Sequence, residues 1–532
     1  PRMSSPSTAK SASKIMAAVF GSRVLGLVRE IVLNAIFGPG KELDALIAAF
    51  RIPNLLRDLF AEGALSTAFV TTFSKKLATG NKEEAFRLAN LVMTTLLLFM
   101  TVVVLIGILF SDTLVHLTNP GFFLIEGKGD LTIQLTRILF PFILFVSLAA
   151  VYMGLLNSLG SFGLPASASI AFNIVSIISG LALGWIFDPQ LGSRAIYGFA
   201  IGTVIGGVAQ LLIQVPKAIQ FGYRFHLNFN FRDAGLRQIL ILMTPAVIGG
   251  AAVQVNVLVN GYFASFLGDG SVTYLYNAFR LVQLPIGLFG VAIATVTLPA
   301  IARSVATTDL SAFRSKIQEG LQLTFFFSLP AAVACAVLAP LIIQVIYQRG
   351  AFTAHDTTQT AYVLQAFCIG LAGYAGIKVL APAFYALDLP SIPLRVSLLG
   401  IALNLGLNLL FIKIFNLGLA SLPLSTSLVA LINFSQLAWS LRNRLSGLGD
   451  SSLIPNLLKV TIASALMGTL LAGLLILVPH PSNSWLTGML LAFLISFGGF
   501  SYLGLSHLLK IPELQNLLNI LQRKSNPQSL SR

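Results

Sequence analysis

Charge is scarce in this chain. Of its 532 residues, 10% are Asp, Glu, Lys or Arg, where a soluble globular domain carries about 25%. The residues are 56% hydrophobic and mean hydropathy is +0.85. Together these exclude an ordinary soluble domain and indicate a polytopic membrane protein. Cysteine is nearly absent, and Cys335 and Cys368 both lie in apolar stretches, which excludes a disulfide framework. Five histidines without a CxxC or HExxH pattern offer no metal site, and no Walker A sequence occurs, so ATP is not the direct energy source through this chain. No nucleophile–base constellation lies in the apolar runs, which argues against an enzyme. The first 14 residues are polar, Ser-rich and basic, unlike a secretory signal peptide. A formal charge of +15 on a soluble protein would suggest nucleic acid. In an apolar chain it indicates basic loops on the cytoplasmic side and no nucleic-acid partner.

What is present is apolar length. A span needs roughly 20 apolar residues, and fourteen such runs are predicted: 13–37, 44–73, 85–111, 131–159, 164–187, 194–216, 236–266, 272–303, 312–347, 356–387, 391–414, 419–441, 456–478 and 484–509. The seventh to tenth are long and interrupted by Gly and Pro. Loops after even-numbered spans, with both tails, hold twenty Lys and Arg. The other loops hold Lys41, Lys128, Arg194 and Arg349, with Lys413 at an edge. That bias places both termini in the cytoplasm.

The chain also repeats. Ala49-Phe50-Arg51 recurs as Ala278-Phe279-Arg280, Leu59-Phe60 as Leu288-Phe289, and Ala85-Phe86-Arg87 as Ala312-Phe313-Arg314. Leu159 and Pro165 match Leu387 and Pro393, and Ile186-Phe187 matches Ile414-Phe415. The offset stays between 227 and 229 and covers six spans. An even number returns the chain to the same side, so the halves are parallel repeats with a binding site between them. The expected organisation is a first lobe over 1–220, a second over 221–448, and two extra spans with a tail over 449–532. Rocking of the lobes would give alternating access, with bends at Gly and Pro such as Pro53, Pro285 and Gly290.

Against this apolar background stand Arg23, Arg29, Arg57 and Arg280, with Glu30, Asp44 and Glu62 near the first three. A charge at the bilayer centre costs at least about 2.5–3.5 kcal/mol, so each needs an ion pair, a route to the interface or a water-filled cavity. Arg23 and Glu30, seven apart, fall on nearly one helix face, with Arg29 about 120° away. Guanidinium suits phosphate: it stays charged and binds two oxygens at once. The four arginines are therefore the candidate substrate clamp. Glu30, Asp44 and Glu62 are candidate gate acids that relieve the arginines' mutual repulsion. The alternative for Asp44 is a helix cap, and for the arginines intramembrane pairing with Glu30, Asp44, Asp58 or Glu62.

Ser22-Arg23 through Arg29-Glu30, Phe37-Gly38, Asp44-Ala45 and Pro53-Asn54 through Arg57 to Glu62-Gly63-Ala64 closely resemble the MurJ/MviN lipid II flippases. So does Tyr274 to Pro299 with Arg280. The resemblance covers nearly the whole chain. It implies a MATE-like fold of the MOP exporter superfamily: an all-α membrane protein of fourteen helices, with two pseudo-symmetric six-helix lobes and two extra C-terminal helices. It implies transport of lipid II, undecaprenyl-pyrophosphoryl-MurNAc-pentapeptide-GlcNAc, to the outer leaflet for peptidoglycan synthesis. Membrane lipids and cell-wall synthesis proteins are the accompanying partners. The family's cavity arginines match Arg23, Arg29, Arg57 and Arg280, and its gate acids match Glu30, Asp44 and Glu62, with Glu30 replacing an Asp. Its last two spans shape a groove for the lipid tail. Some members hold sodium through a site that includes Asp. The corresponding positions are Asn260, Asn404, Asn408 and Thr426, with no carboxylate. Polar helix packing is the preferred reading there. No cofactor is expected, and drive falls to the membrane potential or another coupling ion. The competing functions are another MOP exporter of polyprenyl-linked sugars or drugs, and a cell-wall assembly scaffold that moves nothing. A cationic-drug exporter calls for an acidic cavity, and a scaffold needs no charge in its spans.

Overall fold

A computed structural model describes residues 6–59, 65–307, 309–445, 447, 453–478 and 483–525. Among them there is helix but no strand. The first elements are α1 (Pro6–Phe37), α2 (Lys41–Arg57), α3 (Ser66–Ala78), α4 (Lys82–Leu109), α5 (Ser111–Thr118), α6 (Lys128–Leu139) and α7 (Pro141–Ser158). Then come α8 (Gly163–Phe187), α9 (Ala195–Leu212), α10 (Val215–Gln220), α11 (Ala234–Ala264), α12 (Ser271–Pro285), α13 (Ala292–Ala306) and α14 (Leu310–Val337). The last are α15 (Ala339–Tyr347), α16 (Ala354–Ala386), α17 (Ser391–Lys413), α18 (Ser421–Leu445), α19 (Leu453–Leu477), α20 (Ser484–Leu508) and α21 (Pro512–Ser525).

Eleven helical stretches among the described residues are long and apolar enough to cross a membrane, so the chain is a multi-pass membrane protein. Each corresponds to one of the fourteen predicted spans. The remaining three runs are also helical: α1 carries Arg23, Arg29 and Glu30, the second run holds α2 and α3, and the seventh is the 31-residue α11. Several runs are two helices rather than one, because proline favours a helix's first turn: Pro141 opens α7 and Pro340 lies in the first turn of α15.

The helix boundaries repeat as the sequence does. α4 begins at 82 and α14 at 310, and α8 at 163 and α17 at 391, an offset of 228 in both cases. Packing divides the chain into two compact units, Pro1–Thr273 with Arg349–Phe352, and Tyr274–Gln348 with Thr353–Arg532. In the first unit, α3, α4 and α7 share a core around Phe69, Phe73, Leu155 and Leu156. Helices α8 and α9 meet backbone to backbone. A Cβ on Gly198 would lie 2.2 Å from the Gly184 nitrogen, and one on Gly202 2.5 Å from the Gly180 nitrogen. Small residues at four-residue spacing are what allow such close approach in an apolar setting. In the second unit, α14, α16 and α18 enclose Phe313, Phe325, Phe384 and Leu441. Helix α20 is tied to α14 by the Tyr502 hydroxyl, which donates to the Phe326 carbonyl at 2.7 Å.

Candidate functional site

α1 carries a buried stripe at four-residue spacing, Gly26, Glu30 and Asn34, continued by Gly38 just past its end. Glu30 is only 3% exposed, and the Asn34 amide donates to its carbonyl at 2.8 Å. Arg23 does not share this environment although it sits seven residues before Glu30: it is exposed, as are Phe20 and Val24 around it. Arg29, on the next face, is half-buried. Its guanidinium lies 5.1 Å from the centre of the Phe172 ring on α8, a cation–π contact, while its Nε is shielded from solvent without a hydrogen-bond partner.

Helix α2 runs through Pro53 to Arg57 and widens to a π turn at Asp58 and Leu59. Arg57 is half-buried and donates to Asp58 Oδ1 from Nε at 3.3 Å and Nη2 at 2.9 Å. This is one of the ion pairs the sequence offered. Gln254 of α11 approaches the other Asp58 oxygen at 3.5 Å. The second repeat copy shows the same irregularity. Half-buried Arg280 lies on α12 about one and a half turns before Pro285, and a π turn follows at Ile286–Val291. The two wide turns begin 228 residues apart, at 58 and 286. Turns of this kind cluster at functional sites and let a helix bend. Arg23, Arg29 and Arg57 belong to the first compact unit and Arg280 to the second.

Asp44 has no exposed surface, and its partner is not an arginine. Its Oδ2 accepts from Lys128 Nζ at 2.8 Å and from the Gly270 N–H at 2.9 Å. Its Oδ1 accepts from the Thr273 N–H at 2.8 Å and the Thr273 hydroxyl at 2.7 Å. Lys128 is equally buried. It also donates to the half-exposed Asp269 at 2.7 Å and rests 4.4 Å over the Phe122 ring. Asp44 makes no side-chain cap on its own helix, whose N-cap is Gly40. It satisfies instead buried N–H groups at the start of α12, where a carboxylate also suits the helix dipole. Sequence reasoning did not single out Lys128 or Asp269. The available signal was that Lys128 is one of few cations on the cation-poor side.

Glu62 lies outside the described residues. Asn404 and Asn408 are fully buried on α17 and bond to each other at 2.7 Å, while the Thr426 hydroxyl donates to the Leu422 carbonyl at 2.7 Å. Asn260 is half-buried on α11, in the first unit, whereas the other three belong to the second. Among the described residues no group of three or more His, Cys, Asp or Glu is placed to hold a metal.

The family model described as lipid II flippase MurJ matches residues 33–496. A probable lipid II flippase MurJ of Vibrio cholerae is 36% identical over 397 residues, covering 73% of this chain and 75% of that protein. The lipid II flippase MurJ of Burkholderia cenocepacia is 33% identical over 381 residues, covering 71% and 73%. A solved lipid II flippase MurJ in an inward closed conformation superposes with a TM-score of 0.77 at 26% identity, over 93% of this chain and 98% of that one. An inward-facing multidrug MATE transporter of the MOP superfamily, at 16% identity and a TM-score of 0.61 over 82% and 94%, shares the fold. The chain belongs to the lipid II flippase MurJ family.

Proposed function

We propose that this protein moves lipid II from the inner to the outer leaflet of a bacterial cytoplasmic membrane, with both termini in the cytoplasm, by alternating access. The substrate is recognised through its pyrophosphate by a cationic cavity to which Arg23, Arg29, Arg57 and Arg280 contribute. The observation that carries this reading is Arg29. It is half-buried on an apolar helix, has an aromatic ring beneath it, and keeps a shielded Nε without an acceptor. Such a donor is costly to leave unmet, and a phosphate oxygen would satisfy it. Arg57 shares its charge with Asp58, and substrate would compete with that carboxylate. The matching π turns after Arg57 and Arg280 supply bending points for the rocking motion.

The Asp44–Lys128–Asp269 cluster is the closed form of the outer gate in this reading. Opening releases the start of α12 from Asp44 and lets water reach Lys128. The equilibrium shifts only as far as substrate binds one state better than the other. Drive comes from the membrane potential or a coupling ion. The test is lipid II exposure on the outer face of cells depleted of their own flippase. Arg29→Ala should abolish it while the protein still inserts. Arg29→Lys should rescue poorly, because ammonium lacks the bidentate fork. Full exposure with Arg29→Ala would refute the anion clamp.

A further inference from the structure

Between α10 and α11 the chain runs from Tyr223 to Phe231 without helix. Every second residue from 225 is apolar, and Phe225, Leu227, Phe229 and Phe231 are 44%, 55%, 59% and 49% exposed. Of the residues between them, His226 and Asn228 are bonded to α4. The His226 N–H donates to Asn90 Oδ1 at 3.2 Å, the Asn90 amide donates to the Arg224 carbonyl at 3.3 Å, and the Asn228 N–H donates to the Thr94 hydroxyl at 3.0 Å. Asn90 and Thr94 are 1% and 0% exposed. The bonds are in register. Two residues of extended chain advance about 6.7 Å, and four residues of helix about 6 Å, so the segment runs alongside α4 and parallel to it.

This places the segment at an unusual depth. Thr94 lies about 18 Å from the first residue of α4, well within the candidate span Lys82–Leu109. Non-helical backbone at membrane depth is tolerated where protein groups satisfy it. Asn90 and Thr94 do so here for the Arg224 carbonyl and the His226 and Asn228 N–H groups. The apolar side chains consequently point away from α4. Lys217, Arg224, Arg232 and Arg237 flank the segment. Asp233 is engaged with the first N–H groups of α11 and with Arg87 at 3.8 Å, while Glu83 and Glu84 stand exposed in the first turn of α4.

We propose that residues 224–231 form a lipid-facing wedge. Phe225, Leu227, Phe229 and Phe231 contact the headgroup–acyl boundary of the leaflet at the Lys82 end of α4, and the flanking cations select anionic headgroups. Positive charge beside an exposed aromatic row is complementary to an anionic bilayer surface. A water-borne protein partner would have to reach the level of Thr94 to cover the same face.

The test uses the full chain with Cys335→Ala and Cys368→Ala, reconstituted into phosphatidylethanolamine–phosphatidylglycerol vesicles. A nitroxide is attached separately through Leu227→Cys and Phe231→Cys, so that misfolding of one variant leaves the other readable. Power saturation should show both labels colliding more often with oxygen than with a water-soluble nickel complex. Removing phosphatidylglycerol, or adding Arg224→Gln with Arg232→Gln, should shift that ratio toward nickel. Preferential nickel access at both sites, shielding from both quenchers, or a ratio indifferent to anionic lipid would each overturn the proposal.

Discussion

The two repeat copies hold a buried carboxylate at matching corners and treat it differently. In the first copy, Asp44 near the start of α2 meets Lys128 at the start of α6. In the second, Asp356 in the first turn of α16 meets the Tyr274 hydroxyl of α12 at 2.6 Å. Among the described residues no cation pairs with Asp356. Its other oxygen accepts the N–H and hydroxyl of Thr353, both at 2.7 Å, and so closes the capping box of its own helix. Neutral donors bind the second carboxylate, two of them from its own capping box, whereas the first is held by a buried cation and by backbone from another helix. A buried ion pair adds little net stability but is expensive to break. Such a corner suits a two-state element: water or a competing charge releases it, while the capping box persists.

The largest expected effect comes from removing the cation. Lys128→Met strands Asp44 in a dry site, at a cost of about 3–5 kcal/mol, read as lowered thermal stability in detergent. Adding Asp44→Asn should recover part of it. Full stability in the single variant would remove the contrast between the corners. Asp44→Ser comes next. It still accepts a hydrogen bond but carries no charge, and Lys128 keeps Asp269. The expected loss is about 1–3 kcal/mol, with impaired lipid II exposure. Normal transport would reduce Asp44 to a cap. Tyr274→Phe should cost about 1 kcal/mol and leave transport intact. If it stops transport, the second corner also moves.

A third carboxylate sharpens the contrast at smaller magnitude. Glu513, in the first turn of α21, is 7% exposed, and its Oε2 has no hydrogen-bond partner. Burial raises its carboxyl above the ordinary 4.5, partly offset by its own backbone amide and by Lys459. A raised folded value favours the protonated form. Its stabilising contribution is therefore complete below 4.5 and is lost as pH rises through the raised value. Protection of α21 against hydrogen exchange, relative to the intrinsic rate at each pH, should fall on going from acid to neutral pH, and Glu513→Gln should flatten that dependence. An unchanged profile in the variant would assign the effect elsewhere.

Much of the fold was legible in the residues. Apolar runs mark the helices closely, since 391–414 and 484–509 became Ser391–Lys413 and Ser484–Leu508, and the 228-residue offset reappears in the helix starts. Arg23, Arg29, Arg57 and Arg280 stand out in the sequence because charge in an apolar run needs a reason. Their environments were less legible. Arg23 and Glu30 share a helix face but not a neighbourhood, because burial depends on which helices flank each level of α1. Lys128 escaped notice because a lysine beside a loop ordinarily faces water, and its burial follows from Asp44 lying 84 residues away. The bonds from Asn90 and Thr94 to the 224–228 backbone likewise join residues 134 to 136 apart, beyond any local pattern.

The central claim is that Arg29 binds the substrate's pyrophosphate rather than only stacking on Phe172. The direct measurement is binding of lipid II to purified protein, in parallel with undecaprenyl alcohol, which has the tail but no phosphate. The account predicts that Arg29→Ala loses most lipid II affinity and leaves binding of the alcohol unchanged. Equal affinities of the native and Arg29→Ala proteins for lipid II would contradict it.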